Sequence, residues 1–231
     1  MEPRRNATGG IGVLDLQGGV QEHLDHLQRA GVAGRPVRDV AEFAGLAGLI
    51  IPGGESTCLS RLLRIFGLDR GLIAAHREGM KLWGTCAGAI LLAAENVGET
   101  PHLGLIDIAV HRNAFGSQLD SFHCTVQVPA VSAMPLPLTF IRAPKITRVG
   151  PGVRVLLAMD GYVAAAETDD ILVTVFHPEL TPTLAFHRYF ARKCGLNLPE
   201  GDVAPPVDAS WDRRSWMDAR RYGEPQPRDG S

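Results

Sequence analysis

The sequence predicts an α/β protein with a mostly parallel central sheet and helices on both faces. Short apolar runs typical of buried strands alternate with amphipathic helical segments through the first half of the chain. Gly and Pro residues mark the ends of these runs, as they do at loops and turns. The 231 residues, 45% of them hydrophobic, are enough for one such domain with a sizeable core, or at most for two small ones.

The order of the predicted elements follows from this alternation. Residues 11–16 form the first strand, and residues 20–30 form a helix with apolar residues at helical spacing, which Gly31 ends. The remaining elements are a buried strand at 47–51, helices at about 56–66 and 69–77, a strand at 80–83, a helix at 87–95, short β-like runs between 105 and 176, and a closing helix at 181–193. The Pro-punctuated residues 128–137 are expected to form a surface loop.

The most informative segment is Gly84-Thr85-Cys86-Ala87-Gly88, between a predicted strand and a predicted helix. Gly-x-Cys-x-Gly is the thiol counterpart of the Gly-x-Ser-x-Gly nucleophile elbow. Because a nucleophile on so sharp a turn has a strained backbone, the residues two positions away must be nearly free of side chains. The helix N-terminus favours the thiolate form. Cys86 is therefore the candidate nucleophile. For the pattern alone, the alternative is a small buried cysteine beside two packing glycines.

A candidate base and an orienting carboxylate follow the apolar run at 171–176. His177-Pro178-Glu179 ends this predicted strand. If the extended backbone continues, its period of two places His177 and Glu179 on one face. The carboxylate would hold the imidazole in one tautomer, and the imidazole would take and return the thiol proton. For His-x-Glu alone, the alternative is a solvated strand end.

A Gly-Gly turn is a candidate oxyanion hole. A buried strand runs into Pro52-Gly53-Gly54-Glu55-Ser56, after which a Ser/Thr-led helix begins. Backbone N–H groups of Gly53 and Gly54 could point at a developing oxyanion. The N–H of Ala87, directly after the candidate nucleophile, is the expected second donor. The loop is not a P-loop, since no Gly-Lys-Ser/Thr follows. The alternative is an ordinary strand–turn–helix connection.

These motifs resemble the class I (triad) glutamine amidotransferase family. The residues that carry the resemblance are Pro52-Gly53-Gly54-Glu55-Ser56, Gly84-Thr85-Cys86-Ala87-Gly88 and Phe176-His177-Pro178-Glu179. Further motifs are similar to those of the glutaminase subunits of two-component pyridoxal 5'-phosphate synthases: Leu16-Gln17-Gly18-Gly19-Val20 with Glu22-His23, Pro101-His102-Leu103-Gly104-Leu105, His111-Arg112-Asn113-Ala114-Phe115-Gly116 and Phe140-Ile141-Arg142-Ala143-Pro144. The match spans about residues 10–193 and implies a flavodoxin-like three-layer fold.

The resemblance implies a role for each matching residue. Cys86 matches the nucleophile, and His177 and Glu179 match the other triad members. The positions that match glutamine contacts are Gly54, Glu55, Ser56, Arg112, Ile141 and Arg142. Free glutamine carries an α-carboxylate and an α-ammonium group, which an arginine and polar backbone groups suit well. Taken alone, Arg112 would be assigned to a surface salt bridge and Arg142 to an exposed edge position.

The resemblance also implies a reaction and a partner. The Cys86 thiolate would attack the side-chain carbonyl of L-glutamine, and a thioester would then be hydrolysed to glutamate. The ammonia would pass to a separate synthase subunit, in a hetero-oligomeric complex, that builds pyridoxal 5'-phosphate from a pentose phosphate and a triose phosphate. No metal or organic cofactor is needed, and pyridoxal phosphate is a product of the complex.

Composition is consistent with such an enzyme and excludes other classes. The net charge of −2 gives no electrostatic reason to expect binding to nucleic acid or to an anionic membrane. No apolar run approaches the length of a membrane span, and no apolar segment directly follows the N-terminal arginines as in a signal peptide. The four cysteines are scattered without a Cys-x-x-Cys pair, and a thiol nucleophile needs reducing conditions. Cytoplasm is therefore the expected location.

The predicted domain organisation has three parts. Residues 1–9 form a flexible N-terminus, residues 10–194 the amidotransferase domain, and residues 195–231 a Pro- and charge-rich extension that is expected to be partly disordered. Trp211, Trp216, Met217 and Tyr222 are unusual for a free tail, so residues 210–221 could instead form a short docking helix. The sequence leaves open whether the extension packs on the domain or binds a partner.

Three residues near the start of the chain are candidates for the partner interface. The resemblance assigns this role to Gln17, Glu22 and His23, because the region faces the synthase in the family. His23 and His26 are also spaced as a possible metal pair, but no further ligand is placed by spacing, so exposed or interface histidines are the preferred interpretation.

Two other functions remain open from the sequence. A cysteine hydrolase or protease on a similar sheet would share the elbow, but it would not need the arginine motifs at Arg112 and Arg142. A non-catalytic amidotransferase-like scaffold would keep the fold, but it would have no need for all three of Cys86, His177 and Glu179.

Overall fold

The computed structural model describes residues 9–112 and 121–199. In chain order, the strands are β1 (Ile11–Leu14), β2 (Gly34–Val37), β3 (Gly48–Ile51), β4 (Lys81–Thr85), β5 (Ala93–Asn96), β6 (Ile106–His111), β7 (Ser121–Val126), β8 (Leu136–Ile141), β9 (Lys145–Val149), β10 (Arg154–Met159), β11 (Tyr162–Glu167) and β12 (Ile171–Thr174). The helices are α1 (Val20–Arg29), α2 (Ser56–Ile65), α3 (Leu68–Arg77), α4 (Ala87–Leu92) and α5 (Ala185–Lys193), with 3-10 turns at Val40–Phe43 and Pro178–Leu180. The predictions for residues 1–8 and 200–231 lie outside the described residues.

The central sheet has a parallel half and an antiparallel half. Within the described residues its strand order is β2-β1-β3-β4-β12-β11-β9-β6-β5, and β10 pairs with β11. The strands from β2 to β12 are parallel neighbours, whereas β11, β9 and β6 continue the sheet through antiparallel pairs. Strands β7 and β8 form a separate antiparallel ribbon. The predicted α/β class is confirmed, and the parallel half is where helices alternate with strands.

Both faces of the parallel half are covered. Successive residues of a strand point to opposite faces, and the neighbours Leu82 and Trp83 of β4 are both fully buried. On the Trp83 face, the indole packs against Phe186 and Phe190 of α5 and against His23 of α1. Helices α1 and α5 therefore form one outer layer of the three-layer arrangement.

The register of the parallel strands brings three strand ends together. Ile51 of β3 lies beside Gly84 of β4, and Thr85 of β4 lies beside Thr174 of β12. The segments that follow these strands therefore emerge side by side at one edge of the sheet. Open α/β sheets place their ligand sites at the carboxyl ends of strands.

Several element boundaries differ from the sequence predictions. Helix α4 ends at Leu92 rather than at residue 95, because the chain continues as strand β5 beside β6. Helix α5 begins at Ala185 rather than at residue 181. The hydroxyl of Thr181 donates to the Pro178 carbonyl, and the helix starts only after Thr183 accepts a hydrogen bond from the Ala185 amide.

Two segments were predicted incorrectly or not at all. Residues 128–137 do not form a simple surface loop, since Val128 and Val131 are buried and β8 begins at Leu136. Val128, Val131 and Leu136 pack into the core despite the prolines of this segment, whereas Met134 is 70% exposed. Strand β2 was not predicted, because its sequence contains Pro36 and is mostly exposed. As an edge strand it tolerates a residue without an amide hydrogen.

The turn into α4 is tight enough to exclude even a methyl group, and this can be tested at Gly88. A Cβ atom added there would lie 2.1 Å from the carbonyl oxygen of Ile51, which is fixed in β3. We expect Gly88→Ala to lower the free energy of unfolding by about 3 kcal/mol, the upper part of the usual range for overpacking. Urea unfolding measures this difference.

The control is Gly152→Ala, at an exposed turn with φ of +80° and no atom close to the added methyl group. This change should cost only the left-handed backbone penalty of about 1–2 kcal/mol. Equal destabilisation by the two substitutions would show that the close approach of Gly88 to β3 is not a constraint on the fold.

Candidate active site

Cys86 occupies a strained turn between β4 and α4. Its backbone has φ of 48° and ψ of −103°, a conformation that a residue with a side chain rarely adopts. Its amide donates a hydrogen bond of 2.8 Å to the Thr174 carbonyl, which attaches the turn to β12. A Cβ at Gly84 would lie 2.5 Å from the Gly88 carbonyl carbon. The predicted requirement for two flanking glycines is therefore confirmed by the packing.

His177 and Glu179 lie together beyond the end of β12. The His177 Nδ1 atom is 2.8 Å from Glu179 Oε1, and the His177 amide donates to the Thr139 carbonyl of β8 at 2.8 Å. The pairing was predicted, but its geometric reason was wrong. The strand ends at Thr174, and the 3-10 turn at Pro178–Leu180 brings the carboxylate back to the imidazole.

The contact with Glu179 fixes the tautomer of His177. An ionised carboxylate only accepts hydrogen bonds, so Nδ1 of His177 carries the proton and Nε2 is left for the Cys86 sulfur. Burial lowers the pKa of His177, but the Glu179 carboxylate and the Cys86 sulfur outweigh burial, and the pKa lies well above its usual value. The imidazole therefore accepts a proton readily, as a base beside a thiol must.

Glu179 stays ionised although it is buried. Burial raises its pKa, but the contacts with His23 and His177 outweigh that effect and bring the pKa to about 2. The side chain is 1% exposed. A permanently charged carboxylate behind His177 stabilises the imidazolium form.

Gly53 packs closely against both His177 and Cys86. A Cβ at this position would be 2.6 Å from Cε1 of His177 and 3.3 Å from the Cβ of Cys86. Gly54 has φ of +146°, which favours glycine, and Ala87 is the first residue of α4. The structure thus brings the three predicted oxyanion-hole residues next to Cys86, two from the loop after β3 and one from the helix.

The first loop of the chain packs against this glycine loop. A Cβ at Gly18 would lie 1.9 Å from the Gly53 carbonyl oxygen, and Gln17 Nε2 donates to the Glu55 carbonyl at 2.9 Å. Gly18 and Gly19 were not predicted as site residues. They could have been, because they form a second Gly-Gly pair after a buried strand at the same edge of the sheet.

A cavity of about 590 Å³ opens above Cys86. This volume is in the range of small-molecule sites. It is lined by Gly18, Gly19, Glu22, Gly53, Gly54, Glu55, Ser56, Cys86, Ile90, Arg112, Ile141, Arg142, Pro144, His177, Glu179 and Leu180. All the residues predicted to contact a substrate are therefore in one cavity with the candidate triad.

Arg112 is held at the cavity wall by several partners. Its Nη1 atom donates to Ser56 Oγ at 2.8 Å and to Thr57 Oγ1 at 2.9 Å, and Nη2 is 2.6 Å from Glu99 Oε1. Glu55 accepts hydrogen bonds from the first amides of α2, which lower the pKa of its carboxyl group. Glu99 was not predicted, since no local pattern links it to Arg112.

Ile141 is the last residue of strand β8, and Arg142 directly follows it. Arg142 is exposed and has φ of 43°, an uncommon backbone for a residue other than glycine. Its position is compatible with an exposed edge residue and also with a glutamine contact, because Arg142 is exposed and lines the cavity.

The three predicted interface residues have different environments. Gln17 and Glu22 are partly exposed, and Glu22 lines the cavity. His23 is fully buried, so the expectation that it lies on an interface surface is wrong. His26 is buried as well, because α1 packs its histidine face against α5 and not against solvent. Among the described residues, no group of three or more His, Cys, Asp or Glu is arranged to hold a metal ion.

A cysteine on a strand–helix elbow, faced by a histidine and a buried carboxylate, defines a class of cysteine-dependent hydrolytic sites on α/β sheets. Comparison with known families identifies the member of this class. The SNO glutamine amidotransferase family matches residues 13–196, and the chain belongs to that family.

Individual relatives are similar over most of the chain. A protein of Syntrophus aciditrophicus named pyridoxal 5'-phosphate synthase subunit PdxT is 60% identical over 217 residues, which cover 94% of this chain and 95% of that protein. The protein of the same name from Deinococcus radiodurans is 48% identical over 191 residues, which cover 80% of this chain and 97% of its own. A solved structure described as a glutamine amidotransferase is 41% identical, covers 81% of this chain and 100% of its own, and has a TM-score of 0.76.

None of the helices within residues 9–112 and 121–199 combines the length and the apolar character that a membrane-crossing helix requires.

The strain at Cys86 can be measured as stability. Cys86→Ala keeps a Cβ atom and hence the strain, whereas Cys86→Gly releases about 1–3 kcal/mol of strain. Glycine also adds about 0.5–1 kcal/mol of unfolded-state entropy. We therefore expect the Gly variant to be more stable than the Ala variant by about 1 kcal/mol in urea unfolding.

The same comparison at Ala89, inside α4, is the control. There, glycine should be less stable than alanine by about 1–2 kcal/mol, because it adds backbone entropy and removes a buried methyl group. A Cys86→Gly variant that is less stable than Cys86→Ala would mean that the turn is not strained.

The buried histidines make stability depend on pH. Burial lowers the pKa of His23 to about 4 and also lowers the pKa values of His26 and His187. In the unfolded chain these groups regain a pKa of about 6.5 and bind protons that the folded state does not. The free energy of unfolding should therefore fall as pH falls below about 6.5, by up to about 1.4 kcal/mol per pH unit for each histidine. Glu179, with a pKa of about 2, adds a loss of the same sign below its unfolded value of 4.5.

Urea unfolding between pH 7.5 and pH 5 measures this slope. His187→Gln should make the slope shallower, whereas the same change at His111, which is exposed, should leave it unaltered. A stability that stays constant from pH 7 to pH 5 would contradict the neutral state of the buried histidines.

Proposed function

We propose that this chain hydrolyses L-glutamine to L-glutamate and ammonia, and that it delivers the ammonia to a synthase subunit that makes pyridoxal 5'-phosphate. Membership of the glutamine amidotransferase family and the 60% identity to a pyridoxal 5'-phosphate synthase subunit support this function. The observation that carries it is the contact of 2.8 Å between His177 and Glu179 beside the Cys86 elbow, within one cavity. The activity belongs to vitamin B6 biosynthesis.

The first half of the reaction forms a thioester. His177 takes the thiol proton through Nε2, and the Cys86 thiolate attacks the side-chain carbonyl carbon of glutamine. The carbonyl oxygen becomes an oxyanion, which the backbone N–H groups of the Gly53-Gly54 loop and of Ala87 stabilise. The imidazolium of His177 then protonates the leaving nitrogen, so the C–N bond breaks and ammonia departs.

The second half releases glutamate. Neutral His177 accepts a proton from water, and the hydroxide adds to the thioester carbonyl. The C–S bond breaks, the sulfur leaves as a thiolate, and the Cys86–His177 pair is restored for the next cycle. Glu179 keeps the same tautomer of His177 throughout, because its pKa of about 2 leaves it ionised.

The ends of the substrate are recognised by charge. Arg112 is suited to the α-carboxylate of glutamine, because its guanidinium is already fixed by Glu99 and by the α2 hydroxyl groups. The Glu55 carboxylate, 60% exposed, is suited to the α-ammonium group. Gly54, Ser56, Ile141 and Arg142 complete the contact surface in this proposal.

The domain organisation and location are also part of the proposal. In this proposal, residues 10–194 form the catalytic domain and residues 195–231 a C-terminal extension, of which the described Leu196 and Leu198 pack against the domain core. Among the described residues, Cys58, Cys86, Cys124 and Cys194 are free thiols, which suits the reducing environment of the cytoplasm. Gln17 and Glu22, at the rim near the glycine loop, are the interface candidates that remain.

The decisive measurement is glutamate release from L-glutamine by the full chain, with and without the purified synthase subunit. We expect slow release by the chain alone and faster release in the complex, because Gly53 and Gly54 permit a peptide rotation that assembles or dismantles the oxyanion hole at little cost. Cys86→Ala should abolish release without loss of the fold.

Each possible result of these assays tests a different part of the proposal. Equal release with and without the synthase would reject the ammonia-delivery role and leave a free-standing glutaminase. Appreciable turnover by Cys86→Ala would exclude Cys86 as the nucleophile. No release by the wild-type complex would favour the non-catalytic scaffold.

A further inference from the structure

A buried pair of histidines lies behind Glu179, on the side away from His177. His23 of α1 and His187 of α5 are both fully buried, and both pack edge-on against Trp83. Titratable side chains are seldom fully buried without a specific partner, since burial disfavours their charged forms. The mechanism above uses neither histidine, so their position needs another explanation.

The side chains form a continuous row from the core to the thiol. His187 Nε2 is 2.9 Å from His23 Nδ1, and His23 Nε2 is 3.5 Å from Glu179 Oε2. The other carboxylate oxygen, Oε1, is 2.8 Å from His177 Nδ1. The 3.5 Å contact is longer than a good N–H···O bond of about 2.7–3.2 Å.

The protons in this row have one favourable arrangement. Suppose first that His23 carries its proton on Nδ1 and donates it to His187 Nε2. The lone pair on His23 Nε2 would then face the negatively charged Glu179 carboxylate. His187 would carry its own proton on Nδ1, where that N–H has no acceptor among the described residues. If instead His187 Nε2–H donates to His23, then His23 Nε2–H points at Glu179 Oε2. Only a lone pair on His187 is then unpartnered, which folded proteins tolerate better than an orphaned N–H.

We infer that His23 is a positioning residue for the triad, which holds the second oxygen of Glu179 by a hydrogen bond while the first oxygen orients His177. This inference rests on the proposed glutaminase function. In the described part of the chain, Glu179 Oε2 and His23 Nε2 are both buried without a hydrogen bond of normal geometry, and these two atoms face each other at 3.5 Å. Without His23 the buried carboxylate could rotate and lose its alignment with His177 Nδ1.

The neutral state of His23 suits this task. Burial lowers its pKa to about 4, more than the nearby Glu179 charge raises it. A neutral imidazole donates a hydrogen bond without placing a second cation beside Glu179. The carboxylate therefore remains available to stabilise the positive charge that develops on His177.

The other groups near this row do not replace His23. His26 lies 4.6 Å, centroid to centroid, from the His187 ring, but its two nitrogens face the Glu22 and Thr181 carbonyl oxygens at 2.8 and 2.9 Å. Arg29 donates to the Pro182 carbonyl. Of His23, His26 and Arg29, only His23 contacts the Glu179 carboxylate, through its Nε2 atom.

The test uses two substitutions of nearly equal shape. His23→Gln keeps an N–H donor close to the position of Nε2, whereas His23→Met fills similar volume without a donor. Both full-length proteins are assayed with the synthase subunit present. We expect His23→Met to lower kcat about 10- to 100-fold, the range known when an outer partner of an oriented histidine is removed from metal sites. The KM for glutamine should change little, and His23→Gln should retain most of the activity.

A double-mutant cycle shows whether His23 acts through Glu179. In a Glu179→Ala background there is no carboxylate to position, so adding His23→Met should change kcat less than about twofold. A merely structural role would instead lower activity by the same factor in both backgrounds. It would also impair the Gln and Met variants equally, in step with their thermal unfolding midpoints.

The outcomes are distinct from failure of the proposed function. If the wild-type complex releases no glutamate, the glutaminase function itself is wrong. If the wild type is active and folded His23→Met matches its kcat, His23 does not position the triad. A full effect of His23→Met in the Glu179→Ala background would overturn the inference in the same way.

Discussion

The arrangement of the site depends on the close approach of two backbones where β4 turns into α4. A Cβ at Gly88 would lie 2.1 Å from the Ile51 carbonyl oxygen, so only glycine lets the helix begin this close to β3. The approach holds Cys86 at φ of 48° and places the glycine loop after β3 beside its thiol. Because β12 pairs with β4 on the other side, the same edge also receives His177. The thiol, the imidazole and the glycine loop are therefore positioned by a single sheet register.

A buried negative charge is the second constraint. Glu179 is 1% exposed, and an isolated carboxylate at such a depth would be neutral. Contacts with His23 and His177 keep its pKa at about 2. The energy that keeps this charge in the interior thus comes in part from the contact with His177, which also orients the imidazole.

Much of the site follows from local sequence. Each of its three motifs is short: the elbow around Cys86, the pair His177 and Glu179, and the Gly53-Gly54 turn. Local sterics constrain the conformation of such short patterns strongly. The His177–Glu179 contact was expected from an extended strand, whereas a 3-10 turn forms it. Strand β2 and the strand after α4 escaped prediction, because edge position and pairing are not local properties.

The sequence by itself determined the α/β class, the elbow cysteine and the Gly53-Gly54 turn, because hydrophobic periodicity and glycine sterics act over short stretches. The glutamine-contact positions such as Arg112 and Arg142 were indicated only by the resemblance to a known family. Only the tertiary structure decided that Glu99 holds Arg112, that Gly18 packs on the Gly53 carbonyl, and that His23 is buried behind Glu179. These contacts join residues from different elements of the fold. They form only because of the strand order and the packing of the helices. The preference of a single residue for an exposed or buried position does not predict either of these.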